Sequence, residues 1–305
     1  MNIKKISTLF MTVLLSLSLV SCDLSFLGED AGSSIPTTDT IVKALKDALY
    51  LGIDGAVDLL GADDGFYKGV VTGKGEGTPI VLLPDDANTA ITELGKVKFD
   101  LWITTASIDD GLKLYFAFIG KPTQTLNQLV QTTILSMNRS AEKAVKEQAG
   151  EVFKTKISEL DIQKAMDILK GIVPVSKGDA AEVKSEYAAT EYLKKIAGQV
   201  LYDVFFPIIQ TVLNTKIEAI GFSTQELWGY LVNGVDYVYS YYSKSNKPNL
   251  PKTLDVWVTT KAIDAIFVKV QEVEKKVRDN PTAAEFLKYG DEVKEAFAYI
   301  KDQKD

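Results

Sequence analysis

The sequence has 305 residues, a formal net charge of −7, one cysteine and no histidine. The lack of histidine removes the commonest general base and the commonest transition-metal ligand, and a single cysteine excludes an internal disulfide and a zinc–thiolate site. An acidic chain without a dense basic run is also not typical of a protein that binds nucleic acid.

The first 22 residues have the pattern of an export signal. Lys4 and Lys5 precede an apolar run from Leu9 to Val20, and Ser21 and Cys22 follow it. This pattern resembles a bacterial lipoprotein signal, in which Cys22 becomes the lipidated first residue of the mature chain. The alternatives are an ordinary secretory signal and a transmembrane anchor, but an anchor needs about 20 apolar residues.

A lipidated Cys22 would carry palmitate-type acyl chains and hold an exported protein on a membrane. We expect the cell membrane or the outer membrane, with the body facing the periplasm or the cell surface. Removal of the leader takes away two lysines and no acidic residue, so the mature chain would be more acidic still.

After a flexible tether over residues 23–38, apolar periodicity predicts one mainly α, bundle-like domain over residues 39–305. Its first helix is expected to end at Leu60, and Gly52 and Gly55 within it indicate a close helix crossing. Further helices are predicted at about 85–94, 126–152, 161–169, 184–199, 201–220, 226–243 and 254–278, with one or two short helices at the C-terminus.

Residues 97–122 interrupt this helical pattern. Apolar residues alternate from Val97 to Ile103 and again from Leu112 to Phe118, with Asp109-Asp110-Gly111 between them. Period two on both sides of a turn signal predicts a small β-hairpin insertion within residues 97–119. A pair of helices is the alternative.

The helix predicted at 126–152 carries polar residues on or beside its apolar stripe. Asn138 falls inside the stripe, Arg139 lies beside it, and Glu142 follows one turn later. A buried amide or guanidinium is costly unless its hydrogen bonds are made. We therefore predict a buried structural network, with Asp264 as a further partner. A ligand site is the alternative.

Only two of the 34 basic residues are arginine, namely Arg139 and Arg278. A chain that otherwise uses lysine is expected to keep arginine where a planar, bidentate donor is needed. Glu274 lies one helical turn before Arg278, and we predict that the two form an ion pair.

The helix predicted at 226–243 is rich in aromatic residues. Trp228, Tyr237 and Tyr241, together with Tyr67 from an earlier loop, are candidates for a ligand-facing surface. The alternative is that they are ordinary core and surface side chains. Asp63 and Asp64 precede Tyr67, but they lack the ligand spacing of a calcium loop, so no metal site is predicted.

Several motifs taken together resemble a bacterial family of exported helical proteins, domain of unknown function 4197. The motifs are Asp64-Gly65-Phe66-Tyr67, Ser136 to Glu142, Ala188-Ala189-Thr190 and Ala262 to Pro281, within a span of about residues 43–290. The resemblance implies a mainly helical exported fold and supplies no activity. Residues 97–122 depart from the family pattern and look like an insertion.

Two classes of function follow from these observations. The first is a non-catalytic binding or scaffolding lipoprotein whose partner is an envelope protein or a small amphipathic ligand. The second is an envelope hydrolase with a carboxylate pair about 5–10 Å apart, drawn from Asp64, Asp264, Glu272 and Glu274. Because no motif places two carboxylates in this way, the sequence favours the binding module, with no cofactor and no nucleic acid.

Overall fold

The computed structural model describes residues 36–66, 80–101, 104–159, 165–174, 183–241, 247–283, 286 and 290–302. The predicted leader, Cys22 and most of the predicted tether lie outside these residues, as does Tyr67. The described residues from Pro36 onwards belong to one compact unit.

The described chain is mainly helical, which confirms the predicted fold class. Its helices are α1 (Thr38–Leu60), α2 (Asp85–Gly95), α3 (Ile108–Phe118), α4 (Leu126–Ala144), α5 (Gly150–Ser158), α6 (Ala165–Leu169), α7 (Ala188–Asn214), α8 (Thr224–Tyr241), α9 (Asp255–Asp279) and α10 (Glu292–Asp302). A π-helical turn, Val145–Ala149, joins α4 to α5. The strands form antiparallel pairs: β1 (Lys98–Leu101) with β2 (Thr104–Ser107), β3 (Ile172–Val173) with β4 (Val183–Lys184), and β5 (Lys216–Ile217) with β6 (Phe222–Ser223).

The core is formed mainly where α1, α4, α7 and α9 meet. α1 packs against α9 and α10, α9 also packs against α7, and α7 packs against α4. The crossing of α1 and α9 is close at Gly52, where an added Cβ would lie 2.9 Å from Cγ1 of Val270. The close crossing predicted from the glycines is therefore present at Gly52. At Gly55 an added Cβ would meet open space.

α4 begins with a reciprocal cap that fixes its first turn. Thr125 accepts a hydrogen bond from the backbone N–H of Gln128, and the Gln128 side chain accepts one from the backbone of Thr125. The apolar stripe then buries Met137, Ala141 and Ala144 completely. Because α5 continues this burial after the π-helical turn, the long helix predicted at 126–152 is present.

The predicted insertion contains a hairpin, but a shorter one than expected. Lys98 pairs with Ser107 at the open end of β1 and β2, whereas residues 108–118 form helix α3 rather than a second strand. Ser107 and Asp110 form a capping box that starts this helix, so Asp110 belongs to a helical first turn and not to a β-turn. Phe116 is then buried against Leu129 and the residues around it.

α7 is one helix, although two were predicted over this stretch. Every fourth residue from Leu193 to Leu213 is buried, and this stripe continues past Pro207, which lies on the exposed side. Burial of the stripe on both sides of Pro207 offsets the lost backbone hydrogen bond. By length and hydropathy α7 could cross a membrane, a property that core helices of its length share.

Candidate functional site

Asn138 holds the backbone at Val81 against α4. Its Oδ1 accepts a hydrogen bond from the N–H of Val81 at 2.9 Å, and its Nδ2 donates to the carbonyls of Val81 at 3.0 Å and Ile134 at 2.7 Å. The side chain is fully buried. All the hydrogen bonds described for the Asn138 side chain are therefore made to backbone groups of the protein.

Arg139 joins two carboxylates on different segments. Its Nη1 donates to Glu142 at 3.0 Å, and its Nη2 donates to Asp64 at 2.6 Å. The backbone N–H of Phe66 also donates to Glu142 at 3.3 Å. Asp64 adopts a left-handed backbone conformation, with φ of 63°, which is uncommon for a residue other than glycine. These contacts fix the loop after α1 onto α4.

The two charges of this group differ in burial. The Arg139 side chain is 44% exposed, whereas that of Glu142 is 8% exposed. Burial raises the pKa of Glu142 above its ordinary value, and the ion pair with Arg139 and the Phe66 N–H oppose this rise without cancelling it. The prediction that Arg139 is buried is therefore wrong, because its guanidinium lies at the rim of the loop rather than under it.

Asp264 is not part of this group. It pairs instead with Lys194 of α7 at 2.8 Å, and both side chains are about half-exposed. The packing of α9 against α7 places Asp264 beside Lys194, so the network expected to connect α4 with Asp264 does not form.

Glu274 and Arg278 form the predicted ion pair, and it is buried. Nη2 of Arg278 donates to Glu274 at 2.7 Å, and the side chains are 13% and 2% exposed. Arg278 also donates to the carbonyls of Ile168 and Leu169 at the end of α6. Glu274 accepts from the backbone N–H groups of Ala189 and Thr190 in the first turn of α7. The pair therefore connects three helices.

The polar candidates are thus satisfied by the protein's own groups. Among the described residues, no buried side-chain nitrogen or oxygen lacks a hydrogen-bond partner. A ligand site is usually marked by polar groups that still need a partner. Asn138, Glu142, Glu274 and Arg278 are therefore buried or nearly so and bonded within the protein, as the structural interpretation predicts, whereas Arg139 is paired but exposed.

The four carboxylates considered for hydrolysis are also occupied. Each is paired with a basic side chain, and no group of three potential metal ligands occurs in the part of the chain that the structure describes. The pairs are Asp64 with Arg139, Asp264 with Lys194, Glu272 with Lys269, and Glu274 with Arg278.

The aromatic residues predicted to face a ligand differ in their burial. Trp228 is fully buried, and its Nε1 donates to the carbonyl of Pro251 at 2.8 Å, so it is a core residue and does not face a ligand. Tyr237 is 54% exposed on the surface of α8. Tyr241 ends α8, but its side chain lies outside the described part of the structure, as does the whole of Tyr67.

An apolar groove lies between α2, α3, α4 and α8. Its volume is about 350 Å³, within the range of about 300–1,000 Å³ that is typical of small-molecule sites. None of the lining residues that the structure describes is charged. The lining residues are Leu94, Ile108, Leu112, Tyr115, Phe116, Leu126, Leu129, Phe222, Leu227, Tyr230, Leu231 and Gly234.

Four aromatic rings form one side of this groove. Phe222 stacks on Tyr115 with centroids 5.7 Å apart, and it meets Tyr230 edge-on at 5.5 Å. Phe116 contacts the same group at 6.4 Å from Phe222. Tyr115 and Tyr230 are 43% and 60% exposed, whereas Phe116 is buried. The rings therefore extend from solvent into the apolar interior.

Sequence reasoning pointed to α8, which lines part of this groove, but its candidates Trp228, Tyr237 and Tyr241 are not among the lining residues. The residues that it missed on α3 were interpreted as alternating strand positions. The capping-box spacing from Ser107 to Asp110 was the available signal, because a helix starting there brings Leu112, Tyr115 and Phe116 onto one face.

A larger pocket of about 880 Å³ lies beside Arg278. Several of its charged lining residues already form ion pairs with other residues of the protein. Lys275 contacts Glu186 at 3.1 Å and Asp279 at 3.3 Å, and Arg278 is held by Glu274. The apolar groove is the stronger candidate, because desolvating its lining leaves no charge without a partner.

Comparison with known proteins gives one family. The model of the family described as protein of unknown function (DUF4197) matches residues 121–286, more than half of the chain. The chain belongs to this family. No curated protein and no solved structure matches it.

The DUF4197 match confirms the resemblance seen in the sequence motifs, over a narrower span than residues 43–290. It contains α4 to α9, and therefore Asn138, Arg139, Glu142, Glu274 and Arg278. It begins at residue 121, so α2 and α3 lie before it. The apolar groove is thus built partly from DUF4197 residues and partly from the segment predicted as an insertion.

Proposed function

We propose that this DUF4197 protein is an exported, lipid-anchored binding module whose apolar groove holds the acyl part of a small amphipathic ligand. The observation that carries the proposal is the groove, whose described lining residues are uncharged and whose aromatic rings extend to its exposed side. A hydrolytic role finds no comparable support, because the four candidate carboxylates are engaged in ion pairs.

The groove suits an acyl chain for two reasons. Transfer of apolar surface from water into an apolar lining is favourable by about 25 cal/mol per Å², and a lining without charged side chains avoids the large penalty of desolvating a charge. The phenol rings of Tyr115 and Tyr230 combine an apolar body with a polar hydroxyl. Such side chains suit the boundary between a buried acyl chain and a solvated head group.

Groove occupancy can be tested with a fluorescent fatty acid and the purified protein. The substitution Leu112→Trp enlarges a half-buried lining residue and should reduce binding at least tenfold. Leu59→Trp is the matched control, because Leu59 lies on α1 outside the groove and is 42% exposed. Absence of binding by the wild type, or equal binding by both variants, would overturn the proposed ligand class.

The anchor follows from the leader pattern. One acyl chain binds membranes only marginally, whereas two or more hold a protein stably. Cys22→Ser should therefore release the mature body into the soluble fraction after a salt wash. Ser21→Ala keeps a small residue before the cysteine and should leave the protein membrane-bound. Retention of Cys22→Ser on salt-washed membranes would contradict the anchor.

A further inference from the structure

The outward face of α3 carries unusually exposed apolar side chains. Phe118 is 89% exposed and Leu114 is 73% exposed, the two highest values among the large hydrophobic residues that the structure describes. They lie four residues apart and therefore share one face of the helix. Isolated exposed apolar residues are ordinary, but two neighbouring ones at this exposure form a small apolar patch.

The opposite face of the same helix forms part of the apolar groove. Phe116 is 1% exposed, and Leu112 and Tyr115 also line the groove. A helix with apolar residues on two opposite faces is normally buried on both of them. α3 instead leaves Leu114 and Phe118 exposed on the side away from the groove.

The size of this surface argues against a second copy of the chain as its partner. A stable protein interface buries about 800 Å² on each partner, and even a large aromatic side chain buries only about 150–250 Å². Leu114 and Phe118 together fall well short of a stable dimer interface. A lipid bilayer has no such minimum, because each inserted side chain contributes independently.

The charges near the patch indicate which lipid surface fits. Asp109 and Asp110 lie in the first turn of α3, and Lys113 contacts Asp110 at 3.5 Å. The helix therefore presents no excess of positive charge that would attract anionic lipid. A zwitterionic surface matches it better.

The length of the chain before the described residues allows the contact. Residues 23–35 separate the predicted lipidated cysteine from Pro36, and fully extended they span at most about 45 Å. An anchored protein would thus keep its helical body within reach of the bilayer that holds it.

We infer that Leu114 and Phe118 insert into a zwitterionic bilayer, so that the groove behind α3 opens beside the membrane from which its acyl ligand comes. This inference rests on the proposed function for the anchor and for the ligand. The membrane contact itself depends only on the exposed face of α3.

The contact can be measured by quenching of a fluorophore by nitroxide-labelled phosphatidylcholine in vesicles that carry the lipidated protein. Cys22 is the only cysteine, and lipidation consumes its thiol, so Ala117→Cys adds a single labelling site between Leu114 and Phe118. Val268→Cys, at a 46% exposed position of α9, is the matched control. We expect quenching several times stronger at position 117 than at position 268.

The double substitution Leu114→Ser/Phe118→Ser, made with Ala117→Cys, should reduce quenching at position 117 to the level at position 268. Its thermal melt should match that of the wild type, because both side chains are exposed. Equal quenching at the two labelled positions, or quenching that survives the double substitution, overturns the inference.

Vesicle flotation tests the lipid anchor, so it distinguishes the anchor from the membrane contact of α3. Flotation without quenching at position 117 overturns the α3 contact and leaves the anchor intact. Quenching that persists when the Cys22→Ser chain is mixed with the same vesicles supports the contact and removes the need for the anchor. If neither flotation nor quenching is observed, both the anchor and the α3 contact are overturned. Binding of a fatty acid in the groove is measured independently.

Discussion

Glu274 and Arg278, one turn apart on α9, connect the ends of two other helices. The carboxylate accepts hydrogen bonds from the first-turn N–H groups of α7 at 3.1 and 2.8 Å, while the guanidinium donates to the last carbonyls of α6 at 2.8 and 2.9 Å. The negative charge thus meets the positive end of one helix, and the positive charge meets the negative end of another. The hydroxyl of Thr190 also donates to Glu274 at 2.7 Å.

Arg278→Ala should lower the free energy of unfolding by about 3–5 kcal/mol, because it leaves Glu274 as an unpaired buried charge. Lys275→Ala is the control, since Lys275 lies beside Arg278 but is 45% exposed, and it should cost less than about 1 kcal/mol. Urea unfolding at neutral pH measures both. Equal effects of the two substitutions would show that the buried pair has no special role.

Arg139→Ala should have a smaller effect than Arg278→Ala, because the Arg139 side chain is 44% exposed. Loss of its charged hydrogen bonds to Glu142 and Asp64 should cost about 1.5–3 kcal/mol. Arg139→Lys keeps the charge but cannot reach both carboxylates with a planar fork, so its stability should be intermediate. Chemical denaturation of the three proteins gives the order, and a wild-type value for the alanine variant would contradict it.

Burial raises the pKa of Glu142 in the folded protein, and this gives its ionisation a definite effect on stability. The folded chain holds the proton more tightly than the unfolded chain, so the contribution of Glu142 is complete below the ordinary glutamate pKa of about 4.3. It is lost as pH rises through the folded-state pKa. Relative to wild type, Glu142→Gln should therefore become more favourable across this interval. Unfolding titrations at successive pH values measure the difference in free energy of unfolding between Glu142→Gln and wild type. A difference that stays constant, or that changes in the opposite direction, would show that burial does not dominate the pKa of Glu142.

Gly52→Ala should destabilise the protein by about 1–3 kcal/mol, because the new methyl group overpacks the crossing of α1 with α9 at Val270. Gly55→Ala on the same helix meets open space and should stabilise the protein by up to about 1 kcal/mol through helix propensity. Thermal melts of the two variants should move in opposite directions. A shift of the same sign in both would show that α1 can move away from α9.

Asn138→Asp tests whether the buried amide holds the Val81 segment. The substitution keeps an acceptor for the Val81 N–H but removes the donor to the carbonyls of Val81 and Ile134. The two lost bonds should cost at least about 2–4 kcal/mol at neutral pH, and a buried carboxyl group that faces two carbonyl oxygens adds to this cost. Asn88→Asp, on the exposed side of α2, should be nearly neutral. If both variants unfold at the same urea concentration, the amide does not secure this segment.

The sequence was sufficient to predict the helices whose periodicity and ends agree. α1 and α9 each carry a long apolar stripe between a polar start and a clear stop, and these local signals do not depend on the rest of the chain. It was not sufficient for α3, because four alternating apolar residues fit a strand as well as a helix. Its capping box, from Ser107 to Asp110, resolves that ambiguity.

The pairing of charges was decided by tertiary structure. The sequence identified Glu274 as the partner of Arg278, since the two are one turn apart, but not the helix ends that bury them. It named Asp264 as a partner of the Arg139 group, whereas Asp64, 75 residues before Arg139, occupies that place. The apolar groove likewise depends on α2, α3, α4 and α8 meeting. Local patterns determine how one segment folds, but only packing determines which distant side chains share a surface.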